Sequence, residues 1–271
     1  MAGAEKARPR QPTFFLLGVR VDSLEFGVAL EMLEGFAAHR DSLPPRTVLF
    51  ARPCTIAAAR RDPQLKECIS RADLVLPSGA CVAAGARILG TPLREELKRD
   101  QILSALLESA QRSGKTVFLV GGERERPGEL RAHVYISYPR LRIVGSLDRF
   151  ASSRNDDRAV KEINGANPDI VLVAMETPEA EEWIARNAPR LRAGVCIAAG
   201  GEIELLRGHL KNKPGWIGRM RIGRLLRLLR GPAAAGVRPF LHAVRFLALV
   251  AARALVPRRL RLIYHRTMAL W

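Results

Sequence analysis

Thr116-Val117-Phe118-Leu119-Val120-Gly121-Gly122 is the stretch on which the fold turns. Five apolar or β-branched residues run straight into a glycine pair. A run this short and uninterrupted reads as a strand buried on both faces, the kind found in parallel sheets. Outward from it the same unit recurs. Strands are expected at Phe14–Val21, Thr47–Ala51, Leu74–Leu76, Arg142–Gly145, Ile170–Ala174 and Val195–Ala199. Amphipathic stretches alternate with them: Leu24–His39, Thr55–Arg71, Ala80–Leu89, Gln101–Ser113, Glu129–Tyr138, Ala159–Ala166 and Glu179–Asn187. The alternation predicts an α/β domain with a mostly parallel sheet and helices on both faces. No internal repeat stands out.

In such sheets ligands collect at the carboxyl ends of the strands. Four strand ends carry turn chemistry: Pro77-Ser78-Gly79, Gly121-Gly122, Met175-Glu176-Thr177-Pro178 and Gly200-Gly201. Any one of them is an ordinary turn. Four from one sheet converge on one rim, which makes that rim the candidate site. Neither a Walker motif nor a complete GxGxxG is present.

Charge is segregated along the chain. Of 44 Lys and Arg, 15 lie after Glu204, and none of the 27 Asp and Glu do. A nearly neutral body therefore carries a cationic C-terminal arm, suited to a polyanion. Residues 219–230 read as a helix with Arg221, Arg224 and Arg227 on one face and Ile222, Leu225, Leu226 and Leu229 opposite, at about 100° per residue. Phe240–Val256 is apolar but interrupted by His242, Arg245 and Arg253. With Arg238 these fall in a sector of about 80° that also holds Leu249, with Phe246 at its edge. Spanning a bilayer takes about 20 mostly apolar residues, so this stretch is expected to lie in the headgroup region. Arg258, Arg259 and Arg261, followed by Tyr264 and Trp271, extend the interfacial character. The expected partner is an anionic membrane surface. Nucleic acid is not expected, because no helix-turn-helix, zinc finger or aromatic RNA-binding strand is evident.

Cys54, Cys68, Cys81 and Cys196 are widely spaced, with no CxxC and no His at ligand spacing, and read as buried apolar residues in a reducing compartment. Phe14–Val19 is too brief for a signal-peptide core. The expected place is the cytoplasmic face of the cell membrane, peripherally attached. The expected division is a disordered tail over 1–11, an α/β body over 12–204 and a basic amphipathic appendage over 205–271. Ala151–Arg158 reads as a polar loop and Gly231–Gly236 as a hinge.

Several stretches together resemble a family. Arg61-Asp62-Pro63-Gln64-Leu65, Ala72-Asp73-Leu74-Val75-Leu76-Pro77-Ser78-Gly79, Arg87-Ile88-Leu89-Gly90 and Val117–Gly122 occur in the order found in the WecG/TagA/CpsF glycosyltransferases, glycosyltransferase family 26. So do Tyr138-Pro139, Ile143-Val144-Gly145, Asn167–Val173, Thr177-Pro178, Glu181-Glu182-Trp183, Ala199-Gly200-Gly201 and Lys213-Pro214-Gly215-Trp216. The resemblance spans residues 14 to 230. It implies a Rossmann-like fold and an inverting, membrane-surface glycosyltransferase of bacterial cell-envelope polysaccharide synthesis without an obligatory metal or other cofactor. A sugar of the N-acetylmannosamine type would pass from a UDP-sugar to a polyprenyl-diphosphate-linked acceptor. A homo-oligomer, or a complex with other envelope glycosyltransferases, is a further expectation.

The departures fall on polar positions. The family's Pro-Asp-Gly, which carries the proposed catalytic base, is Pro77-Ser78-Gly79 here. An unassisted hydroxyl takes no proton from an acceptor near pH 7, and loss of a positioned base costs about 10²–10⁴-fold in rate. Thr-x-Asn becomes Phe50-Ala51-Arg52, and Gly-x-Pro-Lys-Gln-Glu becomes Glu176-Thr177-Pro178-Glu179-Ala180-Glu181. Arg-Ala-Pro and Gly-Leu-Glu-Trp become Asn212-Lys213-Pro214 and Arg221-Ile222-Gly223-Arg224. Asp100, Glu181, both glycine pairs, Trp216 and Arg227 remain. Expected roles follow from the alignment: Asp100 as substitute base, with Glu176 and Glu202 behind it. Gly121, Gly122, Thr177, Glu181, Gly200 and Gly201 would meet the donor nucleotide, and Arg52, Arg224 and Arg227 a diphosphate. A membrane role falls to Arg221, Arg245, Arg253, Arg258, Arg259 and Arg261. Two functions stay open: an active glycosyltransferase, or a non-catalytic homologue that binds nucleotide sugar, lipid-linked sugar or a partner enzyme.

Overall fold

The computed structural model describes residues 12–40, 44–121, 129–147, 156–200 and 233–254. The first apolar run is not one strand. Leu17 (φ +53°) and Gly18 (φ +83°) fold it into a hairpin, β1 (Thr13–Leu16) against β2 (Val19–Asp22), outside the main sheet. Two consecutive positive-φ residues match the twist that a two-residue hairpin turn needs. After α1 (Phe26–Ala38), the main sheet is built from β3 (Arg46–Ala51), β4 (Leu74–Pro77), β5 (Thr116–Gly121), β6 (Arg142–Leu147), β7 (Ile170–Ala174) and β8 (Val195–Ala198). Their order is β4-β3-β8-β7-β5-β6, and every pairing is parallel.

Side chains alternate across this sheet into two cores. Val48, Leu74, Leu119, Ile170 and Ile197 meet α1, α5 (Arg99–Ser113) and α6 (Glu129–Ser137) on one face. Leu49, Val75, Val120, Val171 and Cys196 meet the opposite layer. That layer holds the hairpin, α2 (Pro53–Ala59), α3 (Pro63–Arg71), α4 (Ala80–Ile88), α7 (Asp156–Ala166), α8 (Glu179–Asn187) and α9 (Ala233–Ala254). The single helix expected over Thr55–Arg71 is broken in two. Asp62 caps α3 by accepting from the amides of Gln64 and Leu65, and Pro63 cannot continue α2. Helix α7 takes in Asp156–Arg158, which the sequence placed in a loop. All four cysteines are free thiols. Cys196 is fully buried, and burial pushes its thiol far up.

At the amino ends of the strands one clasp occurs twice. Asp73 accepts from the Thr47 amide (2.8 Å) and hydroxyl (3.0 Å), donates its own amide to that hydroxyl, and pairs with Arg46 at 2.7 Å. Asp169 does the same with the Thr116 amide (2.8 Å) and hydroxyl (2.7 Å), with Lys115 at 3.4 Å. Each clasp locks the start of one strand to its parallel neighbour, β3 to β4 and β5 to β7. So Arg46-Thr47-Val48 and Lys115-Thr116-Val117 are a local repeat that the sequence reading passed over.

The C-terminal arm also departs from expectation. Ala233–Gly236 is the first turn of α9, not a hinge. Three alanines after Pro232 favour a helix. Phe246 and Val250 are fully buried against α4, where a Cβ on Gly85 would come within 2.8 Å of the Phe246 ring. The cationic sector therefore flanks the face turned toward the body, with Arg245 exposed and Arg253 half-buried. Val244 and Leu247 face outward. Among the described residues no helix is long and apolar enough to cross a membrane. The tail over 1–11, the helix expected over 219–230, Trp216, and Arg258, Arg259, Arg261, Tyr264 and Trp271 lie outside the described residues.

Burial alone would raise the Asp169 pKa, but the Thr116 amide and hydroxyl, with Lys115 and Arg40, outweigh it and hold the carboxyl below its usual range. A depressed folded pKa adds stability that is complete above the unfolded value of about 3.9 and is lost as pH falls through the folded one. Asp169→Asn is therefore expected to lower stability at pH 7 by about 1–3 kcal/mol. It should also flatten the acid limb of the stability curve, as read by urea denaturation between pH 2 and 7.

Candidate active site

The carboxyl ends of β4, β5, β7 and β8, the four singled out in the sequence, lie on one rim, and that of β3 lies between β4 and β8. The Ser78 amide donates to the Ala51 carbonyl at 3.1 Å, and the Ala199 and Gly200 amides both donate to the Val173 carbonyl. The turn after β7 is tied to α2, which follows β3, through side chains. Thr55 and Thr177 share a hydroxyl contact at 3.3 Å, and the Thr177 hydroxyl donates to Glu181 Oε1 at 2.8 Å. Gly121 joins this rim for a steric reason. It has φ +107°, and a Cβ there would stand 2.5 Å from the Ala174 carbonyl oxygen. The glycine is thus demanded by neighbouring backbone, whatever ligand sits above it.

Ser78 is not a displayed hydroxyl. It is 8% exposed, and its Oγ accepts the Arg99 amide at 3.0 Å. Helix α5 starts at Arg99, two residues earlier than its periodicity suggested, and the Ser78 oxygen satisfies one of its first free amides. Asp100 follows in the same first turn, half-buried, where a carboxylate suits the helix dipole.

The earlier start brings Arg99 into the site. Arg99 is 7% exposed, and its guanidinium lies over Gly200 so closely that any Cβ there would overlap Nη1. Arg52 Nη1 stands 3.5 Å from the same point. Arg99 was missed because an arginine at a helix start is ordinarily solvated. The usable signal was its place directly before Asp100 at the mouth of an amphipathic helix.

Glu181 supplies the buried acid of the rim. Burial raises its pKa; the Thr177 hydrogen bond and the Arg52 charge pull the other way without overcoming it. Its Oε2 has no hydrogen-bond partner. Glu176 is exposed. Gly122, Gly201, Glu202, Arg221, Arg224 and Arg227 lie outside the described residues.

A parallel α/β sheet whose carboxyl rim gathers guanidinium groups, hydroxyls and glycine turns is a Rossmann-like ligand-binding architecture. The profile of the WecG/TagA/CpsF glycosyl transferase family matches residues 14–260, and the chain belongs to that family. Three relatives are N-acetylglucosaminyldiphosphoundecaprenol N-acetyl-beta-D-mannosaminyltransferases. The one from Bacillus spizizenii is 26% identical over 69% of this chain and 72% of its own length. The Bacillus subtilis protein is 27% identical over 65% and 68%, and the Staphylococcus aureus protein 24% over 79% and 83%.

Two outcomes follow from this geometry. Ser78→Ala should cost about 0.5–2 kcal/mol, as loss of a helix cap does, in thermal or urea unfolding, while Ser78→Asp keeps an acceptor for the Arg99 amide. Glu181→Gln should raise the melting temperature at pH 7 to 8 by removing a buried charge. Because the folded pKa is raised, wild-type stability is greatest below the unfolded value of about 4.3 and falls as pH rises past it. The advantage of Glu181→Gln should accordingly shrink toward pH 4.

Proposed function

We propose that the protein is a glycosyltransferase of the membrane surface, moving a sugar from a UDP-sugar to a polyprenyl-diphosphate-linked acceptor. The convergence of Arg52, Ser78, Arg99, Thr177 and Gly200 on one rim carries this reading. Guanidinium groups suit diphosphate oxygens and hydroxyls suit a sugar. The acceptor hydroxyl attacks the anomeric carbon, the bond from that carbon to the UDP oxygen breaks, and UDP leaves with its electron pair. Attack from the opposite side inverts the anomeric centre. The acceptor proton passes to a base, for which Asp100, the residue after the Arg99 amide that Ser78 accepts, is the candidate. The names of the Bacillus and Staphylococcus relatives support an N-acetylmannosamine donor and a diphosphate-linked N-acetylglucosamine acceptor.

Attachment to the membrane is supported by the arm. Val244 and Leu247 are 47% and 37% exposed on the outer side of α9, with Arg245 exposed beside them. Each Arg or Lys near an anionic leaflet adds about 1 kcal/mol. The lipid chain of the acceptor would stay in the bilayer while the rim works on its headgroup.

A second reading, a binding protein without turnover, is favoured by one observation. The residue at the family's base position is committed to capping α5. Release of UDP from UDP-N-acetylmannosamine, with and without a short-chain polyprenyl-diphosphate N-acetylglucosamine, separates the two. Acceptor-dependent release is expected for the enzyme. Donor binding without release would establish the binding protein. Ser78→Asp should raise turnover by about 10²–10⁴-fold if the base is the missing part.

A further inference from the structure

Between α3 and α8 lies a cleft of about 330 Å³, floored by Leu49 of β3. Its size falls at the lower end for small-molecule sites, about 300–1,000 Å³. Gln64, Glu67, Cys68 and Arg71 form one wall, and Glu181, Ile184 and Ala185 the other. The spacing of three and four residues puts each set on one helix face. Of the rim residues described above, only Glu181 lines the cleft.

Glu181 is 3% exposed. Its Oε1 accepts the Thr177 hydroxyl at 2.8 Å, and its Oε2 meets no donor among the described residues. A buried carboxyl oxygen without a donor is costly, and a ligand that supplies one removes the cost. The cleft is also negative. Burial pushes the Cys68 thiol up and the Glu182 and Glu67 charges push it further, while Arg71 opposes them without prevailing. Arg71 is held by Glu67 one turn away, with both side chains largely exposed. Asp73, at the amino end of the cleft, is already matched by Arg46. The inner carboxyl is thus left to a cation from outside, and the apolar floor to that cation's body.

We propose that this cleft is a second binding site, which takes a small protonated amine with an apolar body. The ammonium donates to Glu181 Oε2, and the body lies over Leu49 between Cys68 and Ile184. The site stands independently of glycosyl transfer, and Glu181 is the one side chain it shares with the rim.

Calorimetric titration of the full chain at pH 8 with phenethylamine, and with 2-phenylethanol as its neutral counterpart, tests the site. The amine should bind at least about 10-fold more tightly than the alcohol. Glu181→Gln keeps the size and the acceptor for Thr177, and should cut that preference to about 3-fold or less. Ala185→Phe, at an exposed position of the α8 wall, should fill the cleft and abolish binding of both compounds. Should Ala185→Phe not fold by circular dichroism, Glu181→Gln and the alcohol carry the test. Equal affinity for amine and alcohol, a preference that survives Glu181→Gln, or undiminished binding by folded Ala185→Phe would each overturn the site. So would an intact chain that fails to bind the amine at millimolar concentration.

Discussion

Parallel pairing is the constraint from which the rest follows. All six strands of the main sheet run one way, so the chain must return across a face after each strand. Both faces are consequently covered, and β5, β7 and β8 are buried along their whole length, while the edge strand β6 stays partly exposed. The same constraint puts every strand's carboxyl end on a single edge. Six short apolar runs scattered over 150 residues thus deliver their following turns to one rim. The amino edge is closed by the two Asp–Thr clasps, which stiffen the sheet at the end away from the site.

The described rim gathers guanidinium groups. Ser78 is engaged by α5, Arg99 fills the space over Gly200, and Arg52 reaches toward the same glycine. Glu181 is the buried counterweight, and burial works against its ionisation. Among the described residues such a site is well made for holding oxyanions, with Asp100 and Glu181 as its carboxyl groups. Whether either carboxyl takes a proton sets the enzyme and the binding protein against each other as functional readings.

Much of this was legible before any coordinates. Ile170–Ala174 and Glu179–Asn187 fall at the expected bounds because their apolar runs are bracketed by strong turn and cap residues. The hairpin was not legible, since Leu17 in a left-handed conformation is atypical for a β-branched-rich stretch and only Gly18 hinted at it. The break at Asp62-Pro63 carried a readable cap signal that helical periodicity on either side obscured. In the site, glycine positions were found by their place after strands, yet Gly121 is fixed by the Ala174 carbonyl rather than by a ligand. Arg99 was hidden because burial of an arginine depends on a long-range neighbour, Gly200, about a hundred residues away. The arm was read from its charge and its helical pattern, which are blind to the Phe246 contact with Gly85 that seats α9 on the body.

Hydrogen–deuterium exchange of the intact chain, with and without UDP, tests the ligand rim most directly. Slower exchange is expected for the amides around Arg52, Ser78-Gly79, Arg99-Asp100, Thr177 and Gly200, with the amino edge at Thr47 and Thr116 unchanged. Protection confined to the amino edge or to the outer helices, or none at saturating nucleotide, would contradict a nucleotide site at the carboxyl rim.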